Sequence, residues 1–515
     1  MKIKLKTENK FLSLIILLSF VVFLFTSDAH RYTFDEDIVY QQSKRWIFQE
    51  HHPLYVEGKT HTLFEYPDTT PSSLCKTEIL CSSGPIGQSA LYAIFIFINH
   101  NFHLYEDDYI ALSLLDFDDY QYVAWRNSLE GNHNFIHLLY GPLFASLSTG
   151  FLFKISRNLN YSYKTSIVLA LFFAFSTPIW AYSNTGHNVV GSTFFFLLGL
   201  FFFFRFKNSK NIFNLILCGT SLGFGFLVRY DVAILSGIVL AFLIISSKNT
   251  SHKIKQFTFF IIPFTFFFIL LLVRNYIAFG NIFDLGFGPI DEKGYLTPSF
   301  DGIVGLLFSP GFGLFIFAPI LLTCFFSFVD FYKNHKLEFF MFLSFIVTFL
   351  IFYGIFNTYW HAGQSWSARY LLVIVPILLL PLGTSIEKRK NKSLLILLII
   401  LAIIGSIFNI AYVIQDANYF VWGWSNLDPF GIYYLPTLHG HSGFYSGHAV
   451  NMDPMTIWTF EYSQLTLTLN EALTHLQPDI FLLKILGIKI FVIILLAILL
   501  PSIFYLKKLM QHSLR

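Results

Sequence analysis

Charge is scarce in this chain. Asp, Glu, Lys and Arg make up 13% of its 515 residues, about half the share of a soluble domain, which excludes a water-soluble enzyme and a disordered polar chain. Cysteine is scarcer still, and four residues cannot build a disulfide scaffold. There is no internal repeat, no Gly/Ser linker and no low-complexity tail. Nothing points to a nucleic-acid partner. What is abundant is apolar surface: 55% of residues are hydrophobic, 64 are Phe, and the mean hydropathy is +0.59. These proportions describe an all-α polytopic membrane protein.

Apolar runs of about 20 residues mark membrane helices. Twelve are read here, at roughly 11–27, 135–153, 165–183, 187–204, 212–228, 232–247, 256–273, 305–328, 338–356, 370–386, 394–413 and 485–506. The run Pro85–Asn99 is too short to cross and is read as an interfacial or re-entrant helix. With both termini cytoplasmic, the inner segments hold 22 of the 34 Lys and Arg but only four acids, Glu8, Asp330, Glu338 and Glu387. That asymmetry is the positive-inside pattern. Counting 85–99 as a span would invert the basic loops after it. The first run has the basic start of a signal peptide, but its exit Thr26-Ser27-Asp28-Ala29 is a poor cleavage site, so a retained anchor is expected. The expected organisation is a cytoplasmic segment and first helix (1–28), a large outer loop (29–134), a membrane core with an outer loop at 274–304 (135–413), a second outer segment (414–480), and a last helix with a basic tail (481–515). Inverted-repeat transporters show two similar halves, and this chain does not. Its bulk outside the membrane lies at the outer face of the cell membrane.

Cys75 and Cys81 lie in the first outer loop, where an oxidising compartment permits a disulfide; two free thiols are the other reading. Directly behind the first helix stand Asp35, Glu36 and Asp37. A carboxylate at the lip of a low-dielectric cavity can serve as a general base, while acids also simply suit the first turn of a helix. Among the few basic residues on the outer side are Arg229, Arg274 and Arg369, each at the outer end of an expected helix. Arginine grips phosphate oxygens through its planar fork. Arg229 is followed by Tyr230-Asp231 and could equally pair with that acid, and Arg274 could reach lipid headgroups. The outer histidines show no compact metal-ligand spacing, so no metal or other cofactor is expected.

The arrangement of a first helix, an aromatic and Asp35-Glu36 resembles the integral-membrane glycosyltransferases of the GT-C superfamily, in particular the protein O-mannosyltransferase and aminoarabinose-transferase branch. Further stretches resemble the same branch in the same order. They are Phe279-Gly280-Asn281, Leu307-Phe308-Ser309-Pro310-Gly311-Phe312-Gly313-Leu314, and Trp360-His361-Ala362-Gly363-Gln364-Ser365-Trp366-Ser367-Ala368-Arg369-Tyr370, which is similar to a Trp-x-Gly-Gly-x-Ser-x-Gly-x-Arg-Tyr pattern. The departures are a long first outer loop, and Ala362 and Ala368 where glycines are commoner. The resemblance implies a GT-C-type bundle of about 12 transmembrane helices with outer loops and juxtamembrane helices, for which Pro85–Asn99 and Asp108–Trp125 are candidates. It implies a mannosyltransferase-like hexosyltransferase that uses a polyprenyl- or dolichyl-phosphate sugar and a protein, lipid or glycan acceptor outside. Asp35 would be the base, with inversion at the sugar carbon, and Glu36 would support it. Arg274 and Arg369, with His361 and Arg229, would bind the donor phosphate. The rival reading is a non-catalytic lipid- or glycan-binding protein, a flippase or a transporter.

Overall fold

The computed structural model of the protein describes residues 2–30, 34–48, 55–56, 59–60, 84–104, 135–247, 249–285, 300–355, 360–362, 365–388, 392–415, 454–474 and 478–512. It begins with α1 (Lys2–Phe25), α2 (Phe34–Phe48), a two-residue antiparallel ladder of β1 (Tyr55–Val56) with β2 (Lys59–Thr60), and α3 (Ile86–Phe102). The bundle continues through α4 (Phe135–Asn158), α5 (Tyr163–Ser176), the short α6 (Ile179–Ser183), α7 (Asn188–Ser209), α8 (Phe213–Val228), α9 (Val232–Ile245) and α10 (Thr250–Phe279). Next come α11 (Asp301–Phe308), α12 (Leu314–Phe317), a 3-10 turn (Pro319–Cys324), α13 (Phe325–Asn334) and α14 (Lys336–Ile355). A second 3-10 segment (Arg369–Ile374) leads into α15 (Val375–Leu379), α16 (Leu382–Lys388) and α17 (Lys392–Val413), and then follow α18 (Pro454–Trp458), α19 (Gln464–Thr474) and α20 (Phe481–His512).

Among the described residues, eight helical segments are long and apolar enough to cross a membrane: Thr7–Phe25 in α1, then α4, α7, α10, α14, the segment Arg369–Lys388, α17, and Phe481–Gln511 in α20. The apolar helices α5, α8 and α9 have 14, 16 and 14 residues. At about 1.5 Å per residue they are shorter than a hydrocarbon layer of roughly 30 Å. The remaining expected run, 305–328, is not one helix. Pro319 donates no backbone hydrogen bond, and α11 ends at Ser309, whose hydroxyl donates to the Ile457 carbonyl at 2.5 Å. Gly311 N–H donates to the same carbonyl at 3.1 Å, and Gln464 Nε2 donates to the Gly311 carbonyl at 2.6 Å. The break is therefore filled from α18 and α19. The Pro85–Asn99 run does form a helix, α3, which packs on α2, α4 and α8.

The perimeter is apolar. On α10, Ile262, Phe266, Ile269 and Val273 are exposed, and on α17 so are Ile399, Ile403, Ile407 and Ile410, rows at helical spacing that face lipid in a membrane helix. Polar bonds gather at the two ends of the bundle. At one end Glu8 pairs with Lys154 at 2.7 Å, Asp330 with Lys388 at 2.5 Å, and Glu338 with Lys207. There Glu387 accepts the backbone N–H of Ser162 at 2.6 Å. All four acids read as inner thus have partners from segments read as inner. At the other end, His30 meets Asp479 at 3.2 Å and Lys484 meets it at 2.5 Å. Phe481 N–H donates to the Ser27 carbonyl at 3.0 Å, so the exit of α1 is tied to the start of α20.

Candidate active site

The turn between α6 and α7, Asn184-Thr185-Gly186-His187, is the polar centre of that second end. Pro178 opens α6, and the turn is anchored on its neighbours through Asn184, whose Nδ2 donates to the Thr26 carbonyl at 2.9 Å and the Val413 carbonyl at 3.3 Å. The ends of α1 and α17 therefore fix its position. Glu36, in the first turn of α2, is fully buried, and its Oε1 accepts the Gly186 N–H at 2.6 Å. A buried carboxylate needs such a donor. The Gly186 carbonyl accepts Gln88 Nε2 at 2.5 Å and Tyr92 Oη at 2.7 Å, both from α3. Only glycine fits here: a Cβ would lie 1.9 Å from Tyr92 Oη and 2.6 Å from His137 Nε2. Asp35 is the second residue of α2, and its side chain lies outside the described residues.

His187 caps α7, and its Nδ1 is 3.3 Å from Arg369 Nη1. A guanidinium only donates, so Nδ1 accepts and the ring is neutral. Burial, then Arg369, His137 and Arg229, hold His187 well below the ordinary histidine range. Tyr182 Oη donates to the Trp366 carbonyl at 2.8 Å, which joins α6 to the loop carrying Arg369. Among its described residues that loop has two left-handed ones, Ala362 at φ 64° and Ser367 at φ 62°. The Trp-x-Gly-Gly-x-Ser-x-Gly-x-Arg-Tyr pattern has glycine at both positions. Ala368 has φ −71°, so the substituted glycine position is corrected to Ser367.

Arg229 follows α8 and is buried. Its Nη2 lies 3.0 Å from Asp231 Oδ2 and donates to Tyr353 Oη at 3.0 Å, while Tyr353 Oη donates to Asp231 Oδ2 at 2.6 Å. Tyr353 stacks on Tyr370 with centroids 4.2 Å apart. The Tyr370 ring centre is 5.6 Å from the Arg229 guanidinium and 5.7 Å from that of Arg369. The two arginines thus flank one aromatic pair, a cation–π arrangement. Arg229 pairs with Asp231, as one reading of its neighbours had it.

Arg274 and His361 have other surroundings. Arg274, near the end of α10, donates to Asn275 Oδ1 at 3.0 Å and lies 4.9 Å over Phe279. His361 packs on Phe312 and Trp360, with ring centroids 5.4 and 5.5 Å away. Cys75, Cys81 and the Asp108–Trp125 stretch lie outside the described residues. Among the described residues no three His, Cys, Asp or Glu side chains group as metal ligands. The contacts therefore bring together Glu36, Arg369 and Arg229, with His187, Tyr353 and Tyr370 between them. Reading charge alone passes over His187. Its signal is the polar run Ser183–Asn188 set between two apolar runs.

No curated protein matches the chain. Residues 123–275, a little under a third of its length, match the family model of dolichyl-phosphate-mannose-protein mannosyltransferase. The matched part carries the Gly186–His187 turn, Arg229 and Arg274, and leaves Asp35, Glu36 and the Trp360–Tyr370 motif outside it. The resemblance read from the motifs is thereby shown to be to this GT-C family, and the match supports a membrane glycosyltransferase of mannosyltransferase type.

Proposed function

We propose that the protein transfers a sugar from a polyprenyl- or dolichyl-phosphate donor to an acceptor hydroxyl or amine at the outer face of the cell membrane. One observation carries this reading: Glu36 in the first turn of α2 and Arg369 meet across the two residues Gly186 and His187. The acidic motif and a phosphate-binding cation thus share one neighbourhood. Glu36 is committed to a backbone N–H, which leaves Asp35, one residue earlier, as the carboxylate for the acceptor proton. The acceptor oxygen attacks the anomeric carbon as the bond to the phosphate oxygen breaks, with inversion. Asp35 takes the proton, and the polyprenyl phosphate leaves against Arg369, which offsets its growing charge. Arg229, neutralised by Asp231, holds Tyr353 and Tyr370 behind Arg369. The bilayer presents the donor, and the fixed turn orients it. Charges gathered at one rim suit this chemistry better than a transport path, which needs them near mid-membrane.

The test uses membranes from cells expressing the full chain, supplied with polyprenyl-phosphate hexoses labelled in the sugar, with wild type and Asp35→Asn compared at equal protein levels. Acceptor-dependent loss of label from the lipid is expected in wild type and not in Asp35→Asn. Equal release in both removes Asp35 from the mechanism. No release from any donor by folded wild type refutes transfer and favours the binding or transport reading.

A further inference from the structure

Carbonyls at the end of a helix have no partner within it. At the ends of α1 and α17, those of Thr26 and Val413 accept from Asn184 Nδ2 of the α6–α7 turn. The next carbonyl along each chain is taken from the other side, by the segment leading into α20. Phe481 N–H donates to the Ser27 carbonyl at 3.0 Å, and Asp479 N–H donates to the Ile414 carbonyl at 2.9 Å. The Asp479 carboxylate adds a third tie, with Oδ2 3.2 Å from His30 Nε2 and Oδ1 2.5 Å from Lys484 Nζ. His30 N–H donates to Asp28 Oδ1 at 3.0 Å, after a turn of the chain at Ala29 with φ 63°. Ser27, Asp28, His30 and Asp479 are all buried.

These contacts form a closed circuit. It runs from Asp479 to His30, and along the chain to the acidic motif, which begins five residues on at Asp35. Glu36 carries it to the Gly186 N–H. Asn184, two residues before, carries it to the ends of α1 and α17, and the carbonyls next to those return it to Phe481 and Asp479. We propose that Asp479 is a positioning residue for the acidic motif, so that the junction ahead of the last helix is part of what builds the site. The rest of α20 stands at the perimeter against α1, with Ile488, Ile493 and Phe504 exposed. A closed circuit fixes each member from two directions. Opened at Asp479, it leaves the exit of α1, and α2 behind it, held from the side of the α6–α7 turn but not from the side of α20. Arg369 reaches that turn from the 3-10 segment and lies outside the circuit. For the transfer step this rests on the donor reading above, and it assigns the loss to turnover rather than to donor capture.

The experiment uses the purified full chain in lipid nanodiscs, with two readouts: kcat and KM for a sugar-labelled polyprenyl-phosphate hexose, and hydrogen–deuterium exchange of the α2 amides. Asp479→Ala is expected to lower kcat roughly tenfold, a displacement well short of 1 Å, with donor KM unchanged and faster exchange in α2. Asp479→Asn still offers an oxygen to the His30 N–H and should recover most of both. A lower unfolding temperature in Asp479→Ala with wild-type kcat and wild-type α2 exchange overturns the inference, because the residue would then be structural only. If Asp479→Ala does not fold, Phe481→Pro decides. Proline is tolerated at the first position of a helix and removes the donor to Ser27, whereas Phe481→Ala removes the side chain and keeps that donor. Phe481→Pro should have the lower kcat and the faster α2 exchange, and equal behaviour of the two overturns the inference. Failure of wild type to release sugar refutes the donor reading alone, since α2 exchange reads the placement without any sugar.

Discussion

Replacing Gly186 by alanine puts a methyl group where the structure has no room for one. The new Cβ would lie 1.9 Å from Tyr92 Oη, 2.6 Å from His137 Nε2 and 2.8 Å from His137 Cδ2. Restoring an ordinary contact to Tyr92 requires a separation of roughly 1.5 Å more, and overpacking of this kind costs about 1–3 kcal/mol. If the turn gives way, the bonds at 2.6 Å to Glu36 and at 2.5 and 2.7 Å from Gln88 and Tyr92 stretch out of range. Leaving such buried groups unpaired adds about 1–3 kcal/mol. Misplacement of His187 and Arg369 by about 1 Å is expected to cost transfer roughly 100-fold, while the bundle, held elsewhere, stays folded. The assay pairs thermal unfolding of purified protein with sugar release from labelled donor. Tyr92→Phe removes the nearest clashing atom, so Gly186→Ala/Tyr92→Phe should be less impaired than the sum of its parts, with a coupling of about 1 kcal/mol. Strict additivity, or wild-type unfolding and transfer in Gly186→Ala alone, would refute the keystone role of this turn.

Two further outcomes concern stability. Burial pushes the Asp479 carboxyl up, but hydrogen bonding and charge from His30 and Lys484 overcome this and hold it down at about 2. Its folded value lies below the ordinary carboxylate value near 3.9, so its contribution, about 2 kcal/mol, is fully present above that value and is lost as pH falls towards 2. Unfolding temperatures of wild type and Asp479→Asn should therefore differ by a constant amount above about pH 5 and converge below pH 4; a gap that widens on acidification contradicts the assignment. In the Trp360–Tyr370 loop, Ala362 carries a left-handed φ of 64° while Ala368 has φ −71°. Ala362→Gly should be neutral or stabilise by up to about 1 kcal/mol, whereas Ala368→Gly should destabilise by about 0.5–1 kcal/mol, and thermal unfolding of the two variants that gave the reverse order would rule out this backbone.

Much of the bundle was legible because lipid imposes a composition that a window of hydropathy can read. The helices α4, α7, α10, α14 and α17 fall within a few residues of their expected runs. The run 305–328 was misread for the same reason. Its side chains are as apolar as any span, but Pro310, Gly311, Gly313 and Pro319 act on the backbone, which a sum over side chains does not see. The acids and arginines of the site could be named from charge and position, since each is out of place beside an apolar run. Their grouping could not. Glu36 is joined to Arg369 through a glycine N–H 150 positions away, and a backbone donor leaves no mark on residue identity. The shift from Ala368 to Ser367 is of the same kind, because it is φ and not the side chain that distinguishes the two positions.

The way these charges are held also bears on the geometry of the proposed site. Placing an acid and an arginine together near a bilayer invites a direct ion pair, which lowers the cost of burial and leaves little charge for a ligand. Arg229 takes that course with Asp231 at 3.0 Å, and its part is then to order the two stacked tyrosines. Glu36 accepts the Gly186 N–H, a donor with no net charge, and the Arg369 guanidinium donates to a neutral imidazole one residue further on. Adjacent residues of one turn thus contact the acid and the cation, so the backbone of that turn sets where the two groups stand. A shift of the turn would move both together, which is why its glycine, with no room for a Cβ, is the position where the geometry of the site is most exposed to change.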